Sequence, residues 1–311
     1  PRPQFFREDW ENLNGEWGYT FDFGQSGLDA GRELFKSTGF DGKITVPFCP
    51  ESELSGVGYK DFIPAMWYHR KLEIPAAWGE KRVLLNFGAV DYECEAFIDG
   101  VSVGTHFGGT VSFAFDITRK TKAGSTHDLV VRVKDDTRWS QQPGGKQCTS
   151  FKSHGCSYTR TTGIWQTVWL EAVAMCGLKD VQVIPDLDGS TFTIIPRYHA
   201  DQAGLRLRVQ AKAAGELVAE ADVPAAGGVP AVLALGLTRP WSVEDPFLYD
   251  LEPQLVNAAG ETLDAVTSYA GLRKVHVEGN RVFLNNKPIY QRLVLDQGFY
   301  PDGIWTAPND E

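Results

Sequence analysis

Three carboxylates crowd the stretch VDYECEAFIDG: Asp91, Glu93 and Glu95. Two carboxyl groups held close together can share acid and base work on a bound substrate. The segment alternates as a strand does, which puts Glu93 and Glu95 on one face about 7 Å apart. The expectation for this group is a solvated face, not a catalytic pair. Cys148, His154 and Cys156 offer metal-type ligands, but tetrahedral zinc needs a fourth and no C-x-x-C pair supplies it. Loop thiols are the first reading there, ahead of a Cys148–Cys156 disulfide and a metal site. His69 and His106 lie in β-type segments without a G-x-S-x-G motif, which argues against a hydrolase triad. A Gly-rich phosphate loop opening a helix is also absent, and no cofactor is expected.

The richest candidate for function is the stretch from Asp135 to Thr162, which shows no clear period. Structureless loops beyond about 12–15 residues are usually functional or disordered. Trp139, Tyr158, Arg138 and Arg160 make this one too aromatic for a flexible linker. It leads into RTTGIWQTVWLE, residues 160–171, which reads at period two as a strand. Ile164, Val168 and Leu170 take one face with Gln166, and Trp165, Thr167 and Trp169 take the other. Two indoles on a face that should be wet have three explanations: packing against a domain or second layer, a sugar platform, or core. Burying both would be worth roughly 5–10 kcal/mol as an upper bound, so packing is the leading reading.

The elements that must position these groups are strands. Amphipathic helices are nearly absent, and alternating segments recur at the spacing of sandwiches and barrels. WGYTFDF sets Trp17, Tyr19, Phe21 and Phe23 on one face. WYHRKLEIP alternates Tyr68, Leu72 and Ile74 against His69, Lys71 and Glu73. Asp99-Gly100 separates two alternating runs and signals a two-residue hairpin, because both turn positions need positive φ. Strands closing near residue 175 fit a jelly-roll sandwich. A second block runs from KDVQVIPDL to SYAGLRKVHVEG through TFTIIPRY, LRLRVQAKA, AVLALGL and YDLEPQLV. Its strand count fits an immunoglobulin-like sandwich. The final forty residues turn polar and Pro-rich after a hairpin, and Ile304 and Trp305 are expected to be unpaired.

Bulk properties narrow the partners. A length of 311 residues suggests two or three domains. A formal charge of −10 disfavours a nucleic-acid backbone or an anionic membrane and suits a neutral ligand. No apolar run is long enough to span a bilayer. Five scattered cysteines indicate a reducing compartment, so the cytoplasm is favoured. The chain opens PRPQFF without Met, which leaves room for a trimmed leader and hence for secretion or a periplasm.

The order of the motifs resembles the N-terminal portion of glycoside hydrolase family 2, which includes β-galactosidases, β-glucuronidases and β-mannosidases. The resemblance rests on MWYHRKLEIP (66–75), VLLNFGAVDYECEAFIDGVSVGTHFGG (83–109), TGIWQTVWLE (162–171), RPWSVEDPFLYDLEPQL (239–255) and GLRKVHVEGNRVFLNNKPIYQR (271–292). It implies an all-β chain: a jelly-roll, galactose-binding-like domain over 1–176, an immunoglobulin-like β-sandwich over 177–272, and over 273–311 the start of a truncated (β/α)8 barrel. Family members are retaining hydrolases that use two barrel glutamates, one as acid/base and one as nucleophile. The acid/base usually follows an Asn, and no Asn-Glu dipeptide occurs here. The resemblance therefore implies a truncated chain, inactive alone, from a parent exo-β-glycosidase, with a β-galactosidase-like parent ahead of a β-glucuronidase-like one.

What touches sugar is implied only position by position. Resembling β-glucuronidases carry an Asp six residues before the Gly of GIW, where this chain has Ser157. β-Galactosidases carry an Arg-His pair near the first barrel strand, where this chain has Asp296 and Gln297. The turn VPFCPESEL offers Glu51 and Ser52 at a loop the family aims toward its site. Glu51, Trp139, Ser157, Tyr158, Arg160, Asp296 and Gln297 make the expected substrate-binding set, and no residue here is expected to be catalytic. Expected partners are a β-glycoside through the parent site, the C-terminal barrel, and a second copy of the chain in a homo-oligomer. Two readings from other classes stand beside this one: a free-standing carbohydrate-binding module, and a structural, protein-binding tandem of β domains.

Overall fold

A computed structural model describes residues 2–139, 141–236 and 238–309. The chain is all-β and divides into two compact units. Residues 10–172 with 296–309 form the first. Its strands begin with β1 (Trp10–Asn12), β2 (Gly15–Phe21), β3 (Gly42–Val46), β4 (Ala65–Glu73), β5 (Arg82–Phe87) and β6 (Val90–Asp91). They continue with β7 (Glu93–Ile98), β8 (Val101–Phe107), β9 (Phe113–Asp116), β10 (Thr126–Lys134), β11 (Gly163–Ile164) and β12 (Val168–Val173). A six-stranded sheet runs β3-β2-β4-β10-β7-β8 and a four-stranded sheet runs β1-β12-β5-β9, while β6 and β11 pair with each other.

Alternation explains the core between the two larger sheets. Tyr68 and Leu72 of β4 point inward with Trp17, Leu85, Phe87, Val131 and Leu170. Each such side chain contributes roughly 1.5–3 kcal/mol by leaving water. On the other face of β4, Trp67 is also buried, with Phe97 and Val130 of the same sheet, in a second apolar cluster that Leu34 joins. The segment carrying Leu34 is fastened by Asp22, which accepts the Trp67 indole N–H at 3.0 Å and the amides of Ser26 and Gly27. The β7–β8 turn is the hairpin its residues demand, with φ of 49° at Asp99 and 78° at Gly100.

Three local expectations need correction. Phe23 does not continue the face of Trp17, because β2 ends at Phe21 and Phe23 is 54% exposed. The stretch 160–171 is not one strand. Residues 165–167 interrupt it between β11 and β12, where Gly88 N–H donates to Thr167 O at 2.8 Å. The closing tail is not unpaired either. Ile304 is 3% exposed, Trp305 meets Trp165 edge-on at 5.1 Å, and Thr306 Oγ1 donates to Trp165 O at 2.6 Å. Ile304 is thus buried within this unit and Trp305 packs on Trp165 there, while Tyr300 stays 37% exposed.

Residues 2–9 with 173–295 form the second unit. Its strands are β13 (Leu178–Asp186), β14 (Thr191–Tyr198), β15 (Arg206–Ala213), β16 (Glu216–Pro224), β17 (Ala231–Ala234), β18 (Tyr249–Val256), β19 (Thr262–Ala265) and β20 (Ser268–Ala270). One sheet runs β13-β14-β17 and the other β16-β15-β18-β19, with β20 also on β18. Phe192, Ile194, Leu207, Val209, Tyr249 and Leu251 fill the space between them. A small sheet of β21 (Val275–Glu278), β22 (Arg281–Leu284) and β23 (Lys287–Pro288) follows. Beyond it Tyr290, Leu293, Val294 and Leu295 are more than four-fifths exposed and form no strand. No barrel, and no helix long and apolar enough to cross a membrane, occurs among the described residues.

Candidate functional site

The loop between β10 and β11 has no strand of its own, only isolated bridges such as Gln147 with Tyr158. It is nevertheless tied down at both ends by three buried carboxyl groups. Asp135, at the end of β10, accepts Gln142 Nε2 at 2.6 Å and the Thr162 hydroxyl at 2.9 Å. Glu51, from the turn after β3, accepts the Thr162 amide at 3.1 Å. Asp91, on β6, accepts Gln147 Nε2 at 2.7 Å, and Gln147 Oε1 accepts the Thr161 amide at 2.9 Å. Loss of water pushes Glu51 and Asp91 up to about 8 and Asp135 up to about 6. In their acid forms these groups bury no net charge and still accept hydrogen bonds.

Arg160 is the fourth anchor. It is 1% exposed, and its guanidinium donates to Cys148 O at 3.0 Å, to Ser150 O at 2.8 Å and to Lys60 O. The same group lies 3.9 Å from the centroid of the Phe62 ring, and the Arg138 guanidinium lies 3.8 Å from it. A five-donor planar cation suits a site made of carbonyls and an aromatic face. Burial lowers its pKa from the usual arginine value.

The expected substrate-binding residues therefore separate into two groups. Glu51 and Arg160 are sealed inside and shape the loop. Ser52 is buried too, its hydroxyl donating to Asp302 O at 2.6 Å and accepting the Leu54 amide. Trp139 is 80% exposed. Tyr158 stacks on Phe299 at 4.8 Å, and its hydroxyl donates to Gln297 Oε1 at 2.7 Å. Lys146 Nζ donates to the same oxygen at 2.7 Å, which leaves the amide N–H donors of Gln297 for solvent or ligand. Asp296 accepts the Gly298 amide at 2.8 Å and turns the chain locally. Ser157 only donates its backbone N–H to His154 O at 2.9 Å.

The remaining chemical candidates fall into ordinary places. All five cysteines are free, with Cys148 Sγ 3.4 Å from His154 Nδ1 and Cys156 exposed. No group of three or more metal-type ligands occurs among the described residues. Glu93 and Glu95 are half-exposed, whereas Asp91 is buried and does not join a solvated face. Trp165 donates its indole N–H to Gly109 O at 2.7 Å, and Trp169, 4% exposed, donates to Glu171 Oε1 at 2.7 Å. Sequence reasoning missed Asp91, Asp135 and Gln147 as loop anchors, and Lys146 as the partner of Gln297. Only the doubled acid of RVKDD, placed where a strand gives way to an aromatic loop, marks the region.

Two family models match the chain. The sugar-binding domain of the family 2 glycosyl hydrolases covers residues 10–172, and a second family 2 glycosyl hydrolase domain covers residues 178–273. A β-glucuronidase of Paenibacillus borealis is 24% identical over 243 residues, which is 74% of this chain and 40% of the relative. A β-galactosidase of Arthrobacter sp. (strain B7) is 27% identical over 265 residues, 83% of this chain and 23% of the relative. Among solved structures, a β-glucuronidase from Ruminococcus gnavus in complex with D-glucaro-d-lactam superposes with a TM-score of 0.81. Its identity is 21%, over 97% of this chain and 52% of that one. The chain thus spans about half or less of the length of these proteins.

Proposed function

Because this chain belongs to family 2 of the glycosyl hydrolases, we propose that it is the N-terminal, sugar-shaping part of a retaining exo-β-glycosidase. The relatives divide between β-glucuronidase and β-galactosidase, so the proposed substrate class is a terminal β-linked hexopyranoside or hexuronide. A galactoside has no advantage over a glucuronide on these residues. The catalytic carboxyl pair belongs outside these residues. Glu51, Asp91 and Asp135 are buried in a hydrogen-bonded network that fastens a loop, which supports a structural role for them.

The observation that carries this reading is the contrast within one loop. Its base is fixed by buried acids and Arg160, while its surface presents Trp139, Tyr158 and Lys146 together with Gln297. An indole face, a phenol, an ammonium and a carboxamide are the groups that bind a polyhydroxylated ring with a flat apolar side. A rigid base lets them do so without a large ordering cost.

Hydrolysis of 4-nitrophenyl β-D-glucuronide and 4-nitrophenyl β-D-galactoside tests the reading. The complete gene product should cleave one of them, and the 311-residue chain neither. Turnover by the purified 311-residue chain would overturn the assignment of the catalytic pair. Inactivity of the complete product on both would overturn the substrate class.

A further inference from the structure

The outer face of the six-stranded sheet is covered at one end and open at the other. Phe97 and Val130 lie under Leu34 and Phe35. Further along the same strands, three side chains occupy one register row: Phe107 of β8 pairs with Glu93 of β7, which pairs with Lys134 of β10. Cross-strand partners share a face. Cys94 and Ala96 belong to the core between the sheets, so Glu93 and its two partners stand on the opposite, outer side. The Phe107 ring is 61% exposed, and the Glu93–Lys134 contact is a loose 3.8 Å.

At the end of this row lies a cleft of about 380 Å3, walled by Tyr92, Phe107, Glu93 and Lys134 and by Asp136 and Gln141 of the β10–β11 loop. Its size is at the lower end for small-molecule sites, which run from about 300 to 1,000 Å3. Asp136 is held in place, its Oδ1 accepting the amides of Arg138 at 3.2 Å and Trp139 at 3.0 Å. The cleft thus combines an exposed aromatic ring with planar carboxylates, a primary amide and an ammonium. Aromatic rings take the apolar face of a pyranose, and planar groups bridge vicinal hydroxyls. Two carboxylates against one ammonium repel an anionic ligand.

We propose that this cleft is a saccharide-binding site for a neutral pyranose, stacked on Phe107 and held through its hydroxyls by Glu93, Lys134 and Gln141. The assignment rests on the sandwich being a sugar-binding domain of a glycosidase, and it adds a position and a ligand class that the β10–β11 loop residues do not provide.

Titration of the 15N-labelled 311-residue chain with methyl β-D-galactopyranoside, methyl β-D-glucopyranoside and methyl β-D-glucuronide tests it. The two neutral glycosides should give saturable amide shifts at Tyr92, Glu93, Phe107 and Gln141, with Kd in the millimolar range. Phe107→Ala should weaken binding about tenfold, and Gln141→Ala about threefold. Both side chains lie at the surface, so folding should survive, as an otherwise unchanged amide spectrum would confirm. The glucuronide should bind several-fold more weakly, with the gap narrowing as salt rises. Absence of saturable shifts at the cleft, an unaffected Phe107→Ala variant, or tighter binding of the glucuronide would overturn the proposal. Shifts confined to Lys146, Tyr158 and Gln297 would overturn it while leaving the proposed function intact. Saturable shifts at Phe107 alongside a complete gene product inactive on both aryl glycosides would uphold the cleft and overturn only the proposed substrate class.

Discussion

Glu51 and Thr162 lie 111 positions apart and meet through one hydrogen bond, the Thr162 amide donating to Glu51 Oε2 at 3.1 Å. The bond closes the β10–β11 loop onto the turn after β3. Thr162 is held a second time through its hydroxyl by Asp135. The last residue before β11 is therefore positioned by two acids that its own sequence neighbourhood does not contain.

These acids make stability depend on pH. Burial raises Glu51 and Asp91 to about 8 and Asp135 to about 6, from ordinary values of 4.5 and 3.8. Folded values above unfolded ones mean that the folded chain binds more protons in between. The stabilisation is complete below about pH 4 and is lost as pH rises through about 6 and then about 8. Thermal midpoints of the first unit should fall between pH 5 and pH 9, as differential scanning calorimetry would read. Glu51→Gln and Asp91→Asn should flatten that slope; an unchanged slope would show that these groups do not carry it.

Arg160 should tolerate little change. Arg160→Ala removes three carbonyl contacts and the Phe62 stack, and it leaves buried acceptors unsatisfied. The expected cost is about 3 kcal/mol, or several degrees in melting temperature. Arg160→Lys should recover less than half, because an ammonium cannot reach all three carbonyls and lies poorly on a ring. Full recovery by Lys would contradict the geometric role.

How much of this was legible beforehand depended on range. Alternation placed Tyr68 and Leu72 inside β4, and Asp99-Gly100 announced the β7–β8 turn, because both signals are local. The fate of Asp91 was not legible. Its strand reads as half-solvated, and only Gln147, 56 positions away, makes the buried site tolerable. The tail is similar. Ile304 and Trp305 look unpaired in sequence, and the residue covering Trp305, Trp165, lies in a break that strand periodicity does not foresee.

Tyr158 and Gln297 give a local test of that tail. Tyr158→Phe keeps the ring on Phe299 and deletes only the hydroxyl bond, so it should cost about 0.5–1.5 kcal/mol. Amide exchange over residues 296–300 should accelerate while exchange in β4 and β10 stays the same. Tyr158→Ala should accelerate it further, since stack and bond go together. Equal protection in wild type and Tyr158→Ala would mean that the tail is held elsewhere.

In the second unit the corresponding pin is Arg7. Its Nε and Nη2 reach the two Asp264 oxygens at 2.9 Å each, and both side chains are about 95% buried. Asp264 also accepts the Leu178 amide at 2.7 Å, and Arg7 donates to Leu178 O, so the pair fastens the start of β13 to β19. Removing one member of a buried pair strands the other charge and costs about 3–5 kcal/mol, whereas an apolar replacement of both costs far less. Arg7→Met should therefore lower the melting temperature of this sandwich more than Arg7→Met with Asp264→Leu. The double variant should still lose something, because the Leu178 amide then lacks an acceptor. A single variant no less stable than the double would show that the ion pair, and not the amide bond, contributes little to holding β13.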